Sequence, residues 1–284
     1  MSFTDETKIE IRELEQIPEF RAVEELQKEV WGFDDRDVVP LTQLVAVKEA
    51  GGILLGAFEG SELVGFVYGF IGCEDKHIVL HSHMLAVRLE YRGRDLGYKL
   101  KLAQRRKALS KSITCISWTF DPLQSLNAHF NFAKLGVVAD KYIIDFYGEQ
   151  TSSFLHKGIG TDRLWVNWIL DSQRVKQRLS GRRMQKWPSE LDATIPLVSA
   201  GDKGAPCRSD TTTFGAQHVL IEIPGDLTSL LQRSPGLAYD WRIATRWAFT
   251  QALAAGYVVE EFCRTTRNEQ PFGVYVLTSA LLGV

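Results

Sequence analysis

Apolar positions recur every three to four residues over 18–31, with Phe20, Val23, Leu26 and Val30 on one face and Glu24 and Gln27 outward, so the spacing predicts an amphipathic helix. Residues 53–59 and 62–72 are nearly continuous apolar runs, bounded by Gly51-Gly52 and by the turn Glu59-Gly60-Ser61-Glu62, and read as a β-hairpin. His77 to Val87 reads as a third long strand. A helix is predicted from Arg94 to Ser110, burying Leu96, Leu100 and Ala103 beneath a face of lysines and arginines. Ile113 to Phe120 is the next strand, closed by Pro122. A short helix from Ser125 to Leu135 stops at Gly136, a natural C-cap. Val137 to Ile144 and Arg163 to Leu170 complete the sheet. Helices alternating with strands behind a leading hairpin predict an α/β or α+β sheet, not a bundle.

The texture changes after Asp171. Gln173 to Arg183 is basic and helical in pattern, and residues 184–216 are rich in Pro, Gly, Ser, Thr and Asp without a period, as in a linker. A second block follows: a strand His218–Ile223, a short helix near Asp226, a helix Ala238–Ala255, and strands Val258–Phe262 and Gly273–Leu277. The long helix is expected to bury Trp241, Ala244, Trp247 or Ala248, and Ala252, leaving Arg242 and Arg246 on a solvated face or against an acidic partner. The expected domains are therefore 1–171, a linker 172–216, and a smaller α/β block 217–284.

The chain has 284 residues, ample for a large core. Its 45% hydrophobic and 24% charged content is that of a globular protein. A net charge of −2 argues against nucleic acid as a partner, and the absence of a long apolar run argues against a membrane. Cys73, Cys115, Cys207 and Cys263 are widely spaced and form no Cys-x-x-Cys pair. Together with a polar N-terminus lacking a signal-peptide core, they point to reduced thiols and a cytoplasmic location. His77, His81 and His83 share one parity, but no acid follows at ligand spacing, so no metal is expected.

The stretch from Met84 to Tyr98 carries the most chemistry. An apolar strand enters a glycine- and arginine-bearing turn that opens a helix, where backbone N–H groups and the helix dipole suit a pyrophosphate. The dinucleotide pattern Gly-x-Gly-x-x-Gly fails, because Gly93 and Gly97 lie four apart with no glycine at 95. The acyl-CoA pattern Arg/Gln-x-x-Gly-x-Gly/Ala fits at Arg92 and Gly97, with Asp95 in place of its first glycine.

With this turn, the element order, and the close Lys134-Leu135-Gly136-Val137, residues 8–170 resemble the GNAT superfamily of acyl-CoA-dependent N-acyltransferases. Trp118-Thr-Phe-Asp-Pro122, Ser125-Leu-Asn-Ala-His-Phe130 and Thr161-Asp-Arg-Leu-Trp165 are similar to a bacterial branch of it with an extra C-terminal block. The resemblance implies a mixed, splayed sheet flanked by helices, with 217–284 as a degenerate half-unit extending it. It also implies acyl-CoA as co-substrate and a small-molecule amine, such as an amino acid, as acceptor. The donor is acetyl-CoA or a larger one of the succinyl type, and a homo-oligomer is left open.

In such a fold the pantetheine arm would pair with the strand edge at Leu85, Ala86 and Val87. Arg92, Gly93, Arg94, Asp95, Leu96, Gly97 and Tyr98 would hold the pyrophosphate. His81 or His83, which by parity share a face with Leu85 and Val87, would be the base. The tyrosine that many relatives use to protonate the thiolate is replaced by Phe132, leaving Asn127, His129, Tyr98 and Tyr142 as candidates. Asp121 is expected either to bind the substrate ammonium or to cap a helix. The alternative is a non-catalytic acyl-CoA-binding module. Acetylation of protein lysines is a third reading, one that would want an exposed acidic groove.

Overall fold

The computed structural model describes residues 9–148, 158–181, 191, 194–201, 204–209, 214–267 and 269–279. Contacts divide the chain after Trp118. The first unit contains β1 (Ile9–Glu13), α1 (Ile17–Trp31), α2 (Leu41–Glu49), β2 (Ile53–Glu59), β3 (Glu62–Glu74), β4 (His77–Val87), α3 (Leu96–Ser110) and β5 (Cys115–Phe120), whose last two residues pass into the second unit. Its strands lie in chain order, β1 to β4 antiparallel and β5 parallel to β4.

α1 begins where the Gln16 amide donates to Glu19 Oε2 at 3.1 Å, and ends at Gly32, whose φ of 67° closes the last turn. It buries Phe20, Val23 and Leu26 as the spacing predicts, but also Gln27. The Gln27 amide is held by the backbone of Val39, accepting from its N–H at 2.8 Å and donating to its carbonyl at 3.1 Å. Glu24 likewise accepts from Leu41 N at 2.7 Å. Both side chains tie down the connection to α2, which is why neither simply faces solvent.

The two faces of the sheet are covered differently. α1 and α2 pack their apolar residues against Leu54, Phe58, Phe66, Tyr68, Met84 and Ala86. On the other face α3 buries Leu96, Leu100 and Ala103, and also Lys101. The described hydrogen-bond partners of the Lys101 ammonium are neutral: Ser82 Oγ at 2.8 Å and Gln104 Oε1 at 3.1 Å, with the Trp118 ring 3.7 Å away.

Burial drives the Lys101 pKa well below its ordinary value. Between that lowered pKa and about 10.4 the unfolded chain binds more protons than the folded one, so stability rises with pH over this range. In urea unfolding at pH 7, 8 and 9, the wild type is expected to gain on Lys101→Met by up to about 1.4 kcal/mol per pH unit. A difference independent of pH would show that the lysine is charged in the fold.

The second unit carries a four-residue α4 (Ser125–Ala128) that widens into a π-turn over His129–Leu135 and stops at Gly136, φ 78°. There follow β6 (Val138–Ile143), β7 (Arg163–Ile169), α5 (Gln173–Leu179), β8 (Val198–Ala200), β9 (Pro206–Arg208), β10 (His218–Pro224), α6 (Leu227–Arg233), α7 (Pro235–Ala254), β11 (Tyr257–Arg267) and β12 (Gln270–Ser279). The strand order is β7-β6-β11-β12-β10-β8-β9.

The division therefore falls some fifty residues before the expected boundary at 171. β6 pairs with β11 through Ala139 and Val259, and Arg174 of α5 donates to Gly136 O and to Glu261. These bonds tie β6, the turn at Gly136 and α5 to β11 of the C-terminal block. The expected linker 184–216 contributes β8 and β9 to the same sheet, and its residues 184–190, 192–193, 202–203 and 210–213 lie outside the described residues. Among the described residues no helix is long and apolar enough to cross a membrane.

Candidate active site

β4 is the strand on which the candidate site is built. Its C-terminal half pairs with β3 through Met84–Tyr68, Leu85–Val67, Ala86–Phe66 and Val87–Gly65. Its parallel pairing with β5 is confined to Leu80–Ile116 and His81–Ser117. Beyond His81 the two strands part, and among the described residues no strand pairs with Leu85 to Val87 on that side, leaving an open edge of the kind that accepts an added extended chain. The splay expected of strands four and five is present.

Just past this edge the chain turns into α3. Gly93 and Asp95 both have left-handed backbone, φ 79° and 55°, and Asp95 is the N-cap of the 15-residue helix. The pattern wants glycine at position 95, and the backbone there adopts the glycine-favoured region with aspartate in place. Gly97 lies over β4: a Cβ built on it would meet the side chains of Leu85 at 3.7 Å and Val87 at 3.9 Å. Arg92 Nε donates to the Val87 carbonyl at 3.1 Å, and the Arg94 guanidinium lies 5.4 Å from the Tyr91 ring. Turn, strand end and helix N-terminus thus meet in one place, with Leu96 buried and Tyr98 half-buried behind them.

The histidines require a correction. Opposite Tyr68 and Phe70 the register slips by one residue, a β-bulge that puts an extra residue into β4 between His81 and Met84. Ser82 Oγ reaches Gln104 and Lys101 on the α3 side. His81 and His83 face the other way, into a ring cluster with Phe70 (5.2 and 5.9 Å) and with Tyr68 (6.0 Å from His83). Leu85 and Val87 point toward Gly97 of α3. The bulge therefore sets the two histidines on the opposite face from Leu85 and Val87, where strict alternation predicts the same face.

Both imidazoles are held below their ordinary pKa. Burial, with smaller contributions from His83 and Lys101, pushes His81 down to about 4, and burial lowers His83 as well. Both are neutral at pH 7 and have a lone pair to take a proton. His81 Nδ1 lies 3.2 Å from Ser117 Oγ, and that hydroxyl donates to Glu74 Oε1 at 2.5 Å. Neither Ser117 nor Glu74 stands out in the sequence, because the link runs across three strands. Among the described residues no group of three or more His, Cys, Asp or Glu is gathered to hold a metal ion.

Asn127, Asp121 and Phe132 belong to the second unit. Asn127 is exposed on α4. Phe132 is fully buried, with Phe120 at 6.2 Å and Tyr275 at 5.8 Å, and has no proton to give. The Tyr142 hydroxyl donates to Asp162 Oδ2 at 2.6 Å, and burial raises its pKa well above the ordinary value. Asp121 corrects both readings offered for it. Its carboxylate is buried and accepts two bonds from Arg242 Nη2, at 2.7 and 2.8 Å, and one from Leu123 N at 2.9 Å. It is an internal counter-ion, and Gln124, not Asp121, sits at the N-cap of α4. Arg246, expected on a solvated face, bonds Asp162 at 2.7 and 2.8 Å.

The family model for the acetyltransferase (GNAT) family matches residues 10–137. This segment is a GNAT acetyltransferase domain. It starts at β1 and ends just after Gly136, so it holds both the turn before α3 and the short helix of the second unit. Solved structures similar to the chain include the ribosomal-protein-S18-alanine N-acetyltransferase of Escherichia coli, 10% identical with a TM-score of 0.46, covering 58% of this chain and 96% of that one. Arabidopsis thaliana Naa50 in complex with a bisubstrate analogue is 14% identical with a TM-score of 0.44, covering 56% and 97%. The PaiA N-acetyltransferase of Thermoplasma acidophilum in complex with coenzyme A is 18% identical with a TM-score of 0.41, covering 56% and 98%. No curated protein matches the sequence.

Proposed function

We propose that the GNAT domain moves an acyl group from acyl-CoA to the primary amine of a small molecule, with amino acids the preferred acceptors. The observation that carries this reading is the open edge of β4 at Leu85 to Val87 beside the left-handed turn that opens α3. An extended pantetheine arm would add to that edge, while amides from Arg92 to Tyr98 and the Arg92 and Arg94 guanidiniums would receive the pyrophosphate. His81, with His83 beside it, would take a proton from the acceptor ammonium. The freed electron pair on nitrogen then attacks the thioester carbonyl, the C–S bond breaks, and the CoA thiolate takes a proton to leave as thiol.

The first test is thermal unfolding with CoA, acetyl-CoA and succinyl-CoA. A ligand at 100 times its dissociation constant, bound only by the native state, is expected to stabilise it by about 2.7 kcal/mol. Preference for one acyl-CoA names the donor, and an amine panel read by thiol release then names the acceptor. No stabilisation by any of the three would overturn the reading.

Asp95 supplies a sharper prediction. Its carboxylate at the turn opposes a pyrophosphate by about 1 kcal/mol at 4 Å in water, and its left-handed backbone suits glycine better. Asp95→Gly is expected to tighten CoA binding about fivefold to tenfold, measured by calorimetry. Unchanged or weaker binding would mean that the pyrophosphate does not meet this turn.

A second reading, a non-catalytic acyl-CoA-binding module, is favoured by Phe132, which fills a signature position with a side chain unable to donate a proton. Binding of acyl-CoA without thiol release for any amine would select it.

A further inference from the structure

His81, Ser117 and Glu74 form a continuous hydrogen-bonded line across β4, β5 and β3. Ser117 is fully buried, between the His81 ring and the Glu74 carboxylate. A serine hydroxyl has one proton. A carboxylate oxygen accepts only, so at 2.5 Å that proton belongs to the bond toward Glu74 Oε1, the short length of a charge-assisted O–H···O contact. The Ser117 oxygen then turns a lone pair toward His81 Nδ1 at 3.2 Å, and two lone pairs do not make a bond. Nδ1 must carry the hydrogen. The hydrogen bond on one ring nitrogen fixes the state of the other, so Nε2 is left as the basic atom.

We propose that Ser117 and Glu74 are positioning residues that lock His81 in its Nδ1–H tautomer and present Nε2 as the proton acceptor. The use of Nε2 rests on the acyl-transfer reading; the tautomer does not. When Nε2 takes the ammonium proton, the ring becomes a cation whose Nδ1–H points at Ser117 Oγ, with the Glu74 charge behind it. No net proton moves along the line, so Ser117 and Glu74 end the step as they began it.

Other described groups around the ring act in the opposite sense or are neutral. His83 lies 6.3 Å away on the same strand, and it and Lys101 of α3, each when protonated, disfavour a positive ring. Phe70 of β3 adds an uncharged wall at 5.2 Å. His77, the exposed register partner of Glu74 across the hairpin, is a further titratable neighbour of the line. Glu74 is thus the acceptor at the far end of the line, reached through the Ser117 hydroxyl.

The test is a long-range 1H–15N correlation spectrum of the histidine rings in the full, 15N-labelled chain. At pH 7 His81 is expected to give the Nδ1–H pattern. Ser117→Ala is expected to switch it to Nε2–H, and Glu74→Gln to lower the pH at which His81 titrates while the fold persists. In the acyl-transfer assay, Ser117→Ala is expected to lower kcat about tenfold with the KM for acyl-CoA unchanged. An Nε2–H pattern in the wild type, or a tautomer indifferent to a folded Ser117→Ala, overturns the proposal. An Nδ1–H tautomer that responds to both variants, with no thiol release for any amine, leaves the line standing and removes the acyl-transfer reading.

Discussion

Replacing Arg242 with methionine is expected to destabilise the second unit by about 3–5 kcal/mol, the usual result of stranding one partner of a buried ion pair. Arg242 has no exposed surface, donates from Nη2 to both Asp121 oxygens, and donates from Nε to the Ile159 carbonyl at 3.0 Å. Burial by itself would lower its pKa, yet Asp121, Tyr142 and Asp162 together hold it above the ordinary value, so it stays charged. Asp121 is equally buried, and methionine opposite it removes both Arg242 hydrogen bonds to its carboxylate.

The double variant Asp121→Leu with Arg242→Met is expected to recover most of the loss, because desolvation of both charges disappears along with their attraction. Urea midpoints for the two single variants and the double give the coupling directly. A loss below about 1 kcal/mol in Arg242→Met would mean that water reaches the pair. A neighbouring variant, Arg246→Met, is not an independent control: Arg246 bonds Asp162 and Asp145, and Tyr142 donates to the same Asp162.

Why this pair escapes a reading of the sequence is plain from its separation of 121 residues. Periodicity assigns Arg242 to the helix that buries Trp241 and Ala244, and charge alone then argues for the outside. Only the position of Asp121 brings it in. What was legible is whatever a local pattern encodes. The hairpin of β2 and β3 follows Gly51-Gly52 and reverses at a tight turn after Glu59, β4 runs from His77 to Val87 as its apolar run predicts, and α1 and α3 follow their apolar spacing. β1 was missed because Ile-Glu-Ile-Arg-Glu is short and heavily charged. α2 escaped because it buries only Leu44 fully. β8 and β9 have three residues each, too few for a period of two to register.

At the site, the turn from Arg92 to Gly97 was readable because its glycine and arginine spacing is local. The facing of His81 and His83 was not. Alternation assumes an unbroken ladder, and the extra residue between His81 and Met84 belongs to the pairing of two strands. The Ser117–Glu74 line is the same kind of fact, since nothing in the neighbours of either residue along the chain announces it. Sequence patterning thus identifies the strand that carries the candidate base but not the face of the sheet on which that base lies.

The last prediction concerns that base. His81→Gln is expected to lower kcat/KM for acyl transfer by roughly 10²–10⁴, the range for losing a general base, while acyl-CoA binding changes little. Glutamine keeps a polar group of similar reach and removes the titration, so the pH profile separates loss of chemistry from loss of fold. With His81 held at about 4, the wild type is expected to keep its plateau from pH 8 down to about 5. An ordinary imidazole with a pKa near 6.5 would already have lost about nine-tenths of its basic form by pH 5.5. The sign for stability runs with it: the unfolded chain protonates first, so the fold loses stability as pH falls from about 6.5 toward 4. His81→Gln is expected to remove that acid-sensitive component together with the rate. His83→Gln, which leaves the Ser117 contact intact, is expected to cost less than about tenfold in rate. A His81→Gln enzyme within threefold of the wild type and with the same profile would move the base elsewhere. His83, which shares the ring cluster with Phe70, would then be the next residue to test.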